Sequence, residues 1–492
     1  MSTVYDDTAK RLREIAHLEG ISGLLGWDEM VLLPPGSSGC RGDQKAALAG
    51  VIYDKKTDAT LGANLQQLHN AGAALTQVQN AVVRDSYKEY TRTTAIPKEL
   101  AQRIALLETS AYEKWIVSRK AADFSIFAPS LQEWVDVNQQ RANLIDPSSP
   151  PYDVMLDMYE KGMKAERIDE IFSQVRAGLV PLISQLKTGT PPDSAWLAGD
   201  YDVDVQAKMV RQISIDLGFD IDKGRLDVSV HPFTGGSHPT DVRMTTRFKA
   251  NDLTEGLTGA IHETGHAMYE QGRNLDPEWK NLPVSLAMSM GVHESQSLLW
   301  ERLVALNRPF QHYLLPKIRE FFPTFPTEAT PESLYLAQNT MRDPSLIRVE
   351  ADELTYTLHV ILRYEIERGL VDGSIKVTDV PAVWNAKMLD YLGVTPPDDA
   401  QGCLQDIHWA GGAMGYFPTY TLGAMMAVPG LEESLSKGEF APLRLWLNEH
   451  LHRRGSLDAS ADDLMLAVTG KALDPQVYLR YLGEKYREIY QV

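Results

Sequence analysis

The stretch TGAIHETGHAMYEQG (residues 258–272) contains two histidines and a glutamate in one short motif, HETGH. In its HETGH segment, His262 and His266 are four residues apart. On an α-helix this spacing puts both imidazoles on one face, close enough to bind the same ion. Glu263 lies beside such an ion, where a carboxylate can take a proton from metal-bound water. The stretch therefore predicts two ligands and the general base of a zinc peptidase.

The residues around the motif predict the helix that carries it. Asp252 is a good helix cap, and Gly272 follows the last residue of an apolar stripe. Gly256, Gly259 and Gly265 each weaken a helix by up to about 1 kcal/mol. We therefore expect another element to pack closely against this helix.

A catalytic zinc ion needs three protein ligands and an open position. Glu270 lies about 12 Å along the helix axis from His262 and cannot join both imidazoles on one ion. Glu294 is the favoured third ligand, because the next helix brings it back to the motif if the loop reverses the chain. His293 and Glu301 compete for this role, although neighbours on a helix point about 100° apart, so that only one of His293 and Glu294 faces the ion.

Composition and charge limit the partners. Of the 492 residues, 43% are hydrophobic and 23% are charged, which is an ordinary globular composition. The net charge of −18 repels nucleic acid and anionic membranes, so we expect neither partner. The uncharged run at residues 410–430 contains Pro418 and Pro429 and is not interpreted as a membrane span.

The beginning of the sequence and its cysteines indicate a cytoplasmic protein. The first twenty residues carry charges of both signs and no apolar core, so no secretory signal is expected. Cys40 and Cys403 are the only cysteines. Two free thiols in a reducing compartment are the simplest interpretation.

Apolar spacing predicts a mainly α fold. The predicted helices are at 6–18, 44–54, 97–123, 130–145, 167–187 and 204–217, and then, after the motif, at 284–306, 331–341, 346–370, 380–392, 432–452, 461–469 and 475–490. LDVSVHPF and DVRMTTRF, within residues 226–248, alternate with a period of two and predict a short antiparallel pair, with GGSHPT between them. The edge of such a sheet can accept an extended peptide.

Several segments together resemble one family, the HExxH zinc carboxypeptidases typified by the thermostable carboxypeptidase Taq. The matching segments are GWDEMVLLP with the following Arg41, HPF (231–233), DVRMT (241–245), HETGH, HES with the following Gln296 (293–296), IRVEAD (347–352) and GCLQDIHW (402–409). They occur in order and span nearly the whole chain.

The resemblance implies zinc held by His262, His266 and Glu294, with Glu263 as the general base and with Co²⁺ as a substitute for zinc. It also implies a large helical fold with a deep cleft, similar to the angiotensin-converting enzyme and neurolysin group. The whole chain, 1–492, is then one catalytic domain in which residues 1–220 form one cleft wall and residues 221–492 carry the metal site. Family members are usually homodimers and remove C-terminal residues one at a time.

Hydrolysis also needs a donor for the oxyanion that develops opposite the metal. His408 and Tyr420, in DIHWAGGAMGYFPTY, resemble the donor pair of the neurolysin-like fold, and Tyr416 is a second candidate. The alternative is that these are ordinary polar residues at the start of a packed helix.

A substrate with a free C-terminus needs a cation for its carboxylate. Arg348 in IRVEAD is the candidate that the family resemblance gives, and its alternative role is an ion pair with Asp352 on a helix surface. Arg243, on a predicted strand, is a weaker candidate. Asp241, Asp352 and Asp406 are candidates to hydrogen-bond the histidines of the site.

The predicted function is a zinc metallocarboxypeptidase that acts on peptides. The alternative within enzymes is a helical zinc oligopeptidase that cuts internal bonds. An aminopeptidase is disfavoured because GAMG (412–415) lacks the glutamate that would hold a substrate amine. A non-catalytic zinc-binding or scaffold protein is a further alternative, and the presence of Glu263 argues against it.

Overall fold

A computed structural model describes residues 2–422 and 432–492. Before the sheet, the apolar periodicity of the chain produces a succession of helices. They are α1 (Ser2–Val31), α2 (Ser38–Lys56), α3 (Ala59–Asn70), α4 (Gln77–Ala95), α5 (Lys98–Ala121), α6 (Ala128–Ile145), α7 (Pro151–Leu156), α8 (Ala165–Leu186) and α9 (Val203–Leu217). The fold confirms the predicted mainly α class with one small sheet.

The sheet corrects the prediction for residues 226–248. Strands β1 (Gly224–Val228), β2 (Thr234–His238) and β3 (Asp241–Thr246) lie in the order β1–β3–β2. β1 pairs with β3 in parallel, and only β2 pairs with β3 antiparallel, so the predicted antiparallel pair was wrong. Glycine-rich GGSH is a poor strand former by propensity, and the sequence prediction places it between the two strands. A bulge at Gly236, where φ is +133°, lets it pair as a strand.

Helix α1 covers part of the β2 edge. A Cβ atom on Gly20 would lie 2.7 Å from the backbone oxygen of Ser237, and one on Gly23 would lie 2.5 Å from that of Gly236. Strand carbonyls point sideways within the sheet plane, so this approach occupies the edge at these two residues. The part of the β2 edge that α1 leaves free at these contacts is the end near Thr234.

Helix α10 (Leu253–Gly272) carries the HETGH motif. As predicted, the Asp252 side chain caps it by accepting hydrogen bonds from the next turn. The expected close packing is also present, because a Cβ atom on Gly265 would lie 2.5 Å from the backbone oxygen of Gln296 on the following helix. The absence of a side chain at Gly265 is what lets the two helices touch through their backbones.

The helix after the motif begins later than predicted. Residues Pro283–Ser285 form a single 3₁₀ turn, and α11 (Met290–Leu298) starts after Ser289, whose side chain caps it. Residues Leu299–Ala305 continue as a π-helix, a form that often marks functional sites. The predicted start at 284 was wrong because the chain returns to an extended conformation at Leu286.

The remaining helices complete the fold. They are α12 (Arg308–Phe321), α13 (Pro331–Gln338), α14 (Tyr356–Asp372), α15 (Val380–Leu392), α16 (Pro418–Leu422), α17 (Glu432–Ser436), α18 (Ala441–His450), α19 (Ala461–Thr469) and α20 (Pro475–Tyr490). The predicted bounds of α15, α19 and α20 are confirmed. The helices predicted at 346–370 and 432–452 are interrupted, and α12 was not predicted.

Helix α10 lies between the main hydrophobic cores. Tyr269 packs into the larger core, which is formed mainly by α5 to α8, α11, α14, α15 and α20. Leu257 and Ile261 pack into a second core, which is formed by α9, α12 and the π-helix. The helix with the metal motif is therefore held from two sides.

Among the described residues, every helix is too short or too polar to cross a bilayer. Part of the uncharged run at 410–430, residues 423–430, lies outside the described residues.

Replacing Gly265 by alanine should lower stability by about 1 to 3 kcal/mol, because the new methyl group meets backbone atoms that cannot move aside cheaply. Gly259→Ala is the matched control on the same helix, since its nearest neighbouring atom would be 3.4 Å away. That variant should be unchanged or more stable by about 0.5 to 1 kcal/mol. Thermal unfolding of both variants in a chelator measures the difference. Equal melting temperatures would contradict the proposed helix contact.

Candidate active site

Helices α10 and α11 bring together three side chains that can bind a metal ion. The Nε2 atoms of His262 and His266 lie 3.7 and 3.1 Å from Oε2 of Glu294. All three ligand atoms lie within 4.8 Å of one another. Ligand atoms around a tetrahedral zinc ion are about 3.4 Å apart at ordinary bond lengths. Two imidazoles and one carboxylate at these separations fit a zinc ion that keeps an open position.

Glu301, which competed with Glu294 as a ligand, instead contacts the far side of His262. Nδ1 of His262 lies 2.7 Å from Oε2 of Glu301. A carboxylate at this position fixes the imidazole tautomer, so that Nε2 carries the lone pair for the metal. The π-helix supplies Glu301, which gives this unusual element a role beside the site.

His293 and Glu270 support the site from another side. Nε2 of His293 lies 3.0 Å from Oε1 of Glu270, and Glu270 also pairs with Arg273 at 2.7 Å. The His293 ring stacks on His266, with centroids 4.6 Å apart and an interplanar angle of 19°. His293 and Glu270 therefore pack against His266 and lie outside the group of His262, His266 and Glu294 that could hold an ion.

The electrostatics of the site follow from burial and close pairing. Burial alone would raise the pKa of Glu294, but His262 and His266 lower it to about 2. Burial lowers the pKa of His262, whereas Glu294 and Glu301 together raise it to about 10. The two carboxylates therefore favour the protonated form of His262, and a divalent cation would compete with that proton for Nε2.

Glu263 is buried beside the ligands and is only 6% exposed. The Thr234 hydroxyl, at the start of β2, donates a hydrogen bond to Oε2 of Glu263 at 2.6 Å. A carboxylate next to the ligand His262 and shielded from bulk solvent is suited to proton transfer.

The three candidate oxyanion donors lie together. Nε2 of His408 is 3.2 Å from the Tyr420 hydroxyl, and the Tyr416 ring is 5.2 Å from that of Tyr420. Burial lowers the pKa of His408 to about 4, with partial compensation from Asp406, so the imidazole is neutral at neutral pH. Burial also holds the pKa of Tyr420 well above its ordinary value. At neutral pH the His408 imidazole therefore keeps one N–H and Tyr420 keeps its O–H, so each can act as a hydrogen-bond donor.

Arg348 is buried and held by a carboxylate. Its Nε and Nη2 atoms lie 2.9 and 2.8 Å from Oδ1 of Asp406, and its Nη1 donates to the Tyr356 hydroxyl at 3.1 Å. The guanidinium lies 5.0 Å from the centre of the Tyr420 ring. The alternative ion pair between Arg348 and Asp352 is not formed, because Asp352 caps the turn that leads into α14.

A second buried arginine shares the same carboxylate. Nε of Arg363 lies 2.6 Å from Oδ2 of Asp406. The two guanidiniums and one carboxylate sum to a charge of about +1 at neutral pH, since burial and Asp406 leave the pKa of Arg363 at about 10. This cluster can still attract an anion.

Arg243 makes different contacts. It pairs with Asp241 at 2.8 Å, and its guanidinium lies 4.4 Å from the centre of the Trp27 ring on α1. These contacts join β3 to α1. The expectation that Asp241 and Asp352 hydrogen-bond the histidines of the site was wrong, since Asp241 binds Arg243 and Ser237 instead. Asp406 lies 4.0 Å from Nδ1 of His408.

Three important contacts were not anticipated from the sequence. They are Thr234 with Glu263, Tyr356 with Arg348, and Arg363 with Asp406. Their partners are 29, 8 and 43 residues apart, so no local spacing links them. Only the contact of Arg363 was indicated by the sequence, because a charged residue in the apolar run of α14 requires a buried partner.

A cavity of about 580 Å³ opens beside the site. α1, α4 and residues 157–161 contribute to its lining, and so do β2, Glu270 and His293. Thr234, which contacts Glu263, also lines it. A space of this size holds several residues of a peptide.

The family model for carboxypeptidase Taq (M32) metallopeptidase matches residues 7–486. Among curated proteins, the chain is 36% identical to thermostable carboxypeptidase 1 of Thermus thermophilus, over 99% of each chain. It is 34% identical to carboxypeptidase 1 of Bacillus subtilis, over 97% of each.

Solved structures match the fold along the whole chain. The M32 carboxypeptidase from Deinococcus radiodurans R1 superposes with a TM-score of 0.95 at 35% identity, covering 100% of both chains. Metallocarboxypeptidase 1 of Trypanosoma cruzi superposes with a TM-score of 0.93 at 34% identity, covering 99% of this chain and 100% of the other.

Replacing Glu301 by glutamine should weaken metal binding about 10- to 100-fold, because the neutral amide no longer raises the basicity of His262. Glu350→Gln is the control, since Glu350 is exposed and its one ion pair with a described residue is that with Arg342, at 3.8 Å. Competition with a chromophoric chelator measures both affinities. If Glu301→Gln bound metal as tightly as the control, Glu301 would have no part in orienting the ligand.

Proposed function

Because the chain belongs to the carboxypeptidase Taq (M32) family of metallopeptidases, we propose that this metallocarboxypeptidase releases C-terminal residues from peptides with an ion held by His262, His266 and Glu294. The observation that carries the proposal is the clustering of these three ligand atoms within 4.8 Å, beside the buried Glu263. Family membership confirms the prediction of a peptide hydrolase that acts at the C-terminus, and the oligopeptidase alternative is not favoured.

We propose that the ion is Zn²⁺ and that Co²⁺ can replace it. Two imidazole nitrogens and one carboxylate oxygen form a common ligand set of catalytic zinc. When bound, the ion lowers the pKa of water and polarises the scissile carbonyl. Everything else in the reaction is done by the side chains around it.

Glu263 is the proposed general base. Its carboxylate takes a proton from the attacking water and then delivers it to the departing amine. Its burial supports this role, because a proton taken inside a closed site is not lost to bulk solvent.

Tyr420 and His408 are the proposed donors to the oxyanion, with Tyr416 as the second candidate. With the imidazole proton on Nε2, His408 donates to the Tyr420 hydroxyl oxygen and leaves the tyrosine proton available for the oxyanion, and both groups are neutral at neutral pH. Donors that are already oriented stabilise developing charge without having to reorganise.

Arg348 is the proposed partner of the substrate carboxylate. Asp406 holds the edge of its guanidinium formed by Nε and Nη2, so little conformational freedom is lost when a substrate binds. Arg363 supplies a second positive charge, which leaves the cluster cationic. A fixed cation beside the oxyanion donors supports recognition of a free C-terminus.

Three broader proposals complete the function. The whole chain, 1–492, acts as one catalytic domain, and the cavity between α1, α4 and β2 supports residues 1–220 as one wall of its cleft. A homodimer is supported by large apolar side chains that α5 exposes, namely Leu106, Tyr112, Ile116 and Val117. A cytoplasmic location is supported by the free thiols of Cys40 and Cys403.

Replacing Glu263 by glutamine should keep one metal ion per chain and lower kcat by about 10² to 10⁴, since only the proton acceptor is removed. Glu294→Gln is the contrasting variant and should lose metal and activity together. Elemental analysis and turnover of a dipeptide reporter measure both quantities. A Glu263→Gln enzyme that still turned over at the parental rate would rule out Glu263 as the base.

A peptide with a free C-terminus should be cleaved roughly ten- to a hundredfold faster than the same peptide with a C-terminal amide, because only the acid can pair with Arg348. Arg348→Lys should lower kcat/KM for the acid and leave the amide unchanged. Arg243→Lys is the matched control, since Arg243 lies over Trp27. Equal rates for the acid and the amide would favour an oligopeptidase. A loss of acid preference in Arg243→Lys alone would transfer the role to Arg243.

A further inference from the structure

Thr234 contacts the carboxylate that the proposed function assigns as the base. Its hydroxyl lies 2.6 Å from Oε2 of Glu263 and 3.1 Å from the backbone oxygen of the same residue. A threonine hydroxyl has one proton, so it can donate fully to only one acceptor. The shorter contact and the charge of the carboxylate both favour Oε2.

The position of Thr234 is fixed by the sheet. Thr234 is the first residue of β2 and lies beside Met244 on β3. Just before it, the backbone N–H of Phe233 donates to the Thr245 hydroxyl at 3.0 Å, and the N–H of Thr245 donates to the Phe233 backbone oxygen at 2.9 Å. Thr245 is fully buried, and its hydroxyl lies 2.6 Å from that of Ser229. The chain therefore enters β2 in a single arrangement.

The sheet is in turn joined to the helix that carries Glu263. The Thr246 hydroxyl on β3 donates to the backbone oxygen of Gly256 on α10 at 3.1 Å, and the Thr264 hydroxyl on α10 lies 3.7 Å from Sδ of Met244. Thr234 and Glu263 thus stand on two elements that cannot move independently. A hydrogen bond between such elements has a fixed direction.

We propose that Thr234 is a positioning residue for catalysis, one that holds the Glu263 carboxylate with Oε2 turned to β2 and with Oε1 turned to the attacking water. This inference rests on the proposed function of Glu263. A glutamate side chain has several rotatable bonds, and ordering it at each turnover costs conformational entropy. A hydrogen bond that is already made removes that cost before the substrate binds.

The chemistry of the hydroxyl suits this role. A lysine or arginine at the same place would form an ion pair with Glu263 and weaken it as a proton acceptor. A neutral hydroxyl orients the carboxylate with a smaller effect on its basicity. Apolar valine has the shape of threonine without the donor, and serine has the donor without the methyl group, so these two substitutions separate the hydrogen bond from packing.

The test compares Thr234→Val with Thr234→Ser in the metal-loaded full-length enzyme. Thr234→Val should lower kcat about ten- to a hundredfold, the range expected for losing a hydrogen bond to a charged group, while KM changes less than about threefold. Thr234→Ser should stay within about threefold of the parent in both constants. Metal content and melting temperature should be the same for both variants. This combination of results would support the inference.

Two results would overturn the inference. The first is an unchanged kcat in Thr234→Val. The second is a loss of activity in Thr234→Val that is accompanied by a loss of metal or of stability, or that Thr234→Ser shares, because either would indicate a packing role. Glu263→Gln is measured in the same series. If that variant stays active, the proposed base is wrong. If it is inactive while Thr234→Val has the parental kcat, only the role of Thr234 fails.

Discussion

The site depends on one backbone contact between two helices. At Gly265, α10 approaches α11 so closely that a Cβ atom would lie 2.5 Å from the Gln296 backbone oxygen. This contact fixes the distance between the two histidines of the motif and Glu294, which is two residues before Gln296. The other end of α11 is also held, because the buried Glu160 accepts a hydrogen bond from the backbone N–H of Gly291. A short helix fixed at both ends can present a ligand with little freedom, and a metal site needs this rigidity.

Acidic and basic side chains alternate along the site, and this alternation balances their charges. Glu301, His262, Glu294 and His266 form a continuous series of acid and base contacts. Buried carboxylates are costly unless each has a partner, and in this series every carboxylate contacts an imidazole. A divalent cation on the two imidazoles would balance the negative charges of Glu294 and Glu301. The charge of Glu263 is then not neutralised, which suits its proposed role in proton transfer, and the neutral hydroxyl of Thr234 leaves that charge in place.

The sequence predicted the features that depend on local spacing. The helix cap at Asp252 and the shared face of His262 and His266 follow from positions a few residues apart, and the structure has the cap and brings the two histidines to one group of metal-binding atoms. The strand β2, which pairs with β3 on the side opposite β1, could not be predicted in this way, because it depends on a bulge at Gly236 and on contacts with α1. The environment of Arg348 was missed for a related reason. Its partner Asp406 is 58 residues away, and a 3₁₀ turn replaces the helix that the apolar spacing indicated.

The buried guanidinium of Arg348 links the proposed recognition of a substrate C-terminus to the rest of the fold. Arg348 is only 6% exposed, so charging it is tolerable only because Asp406 lies against it. An ion pair of Arg348 and Asp406 alone would have no net charge and would attract a substrate carboxylate only weakly. Arg363, which is fully buried in α14, restores a positive charge without approaching the substrate itself. In the proposed role of Arg348, recognition of a C-terminus therefore draws on a second arginine buried in a core helix. The fold tolerates this charge because Gln405 and the backbone of His359 accept the remaining hydrogen bonds of Arg363.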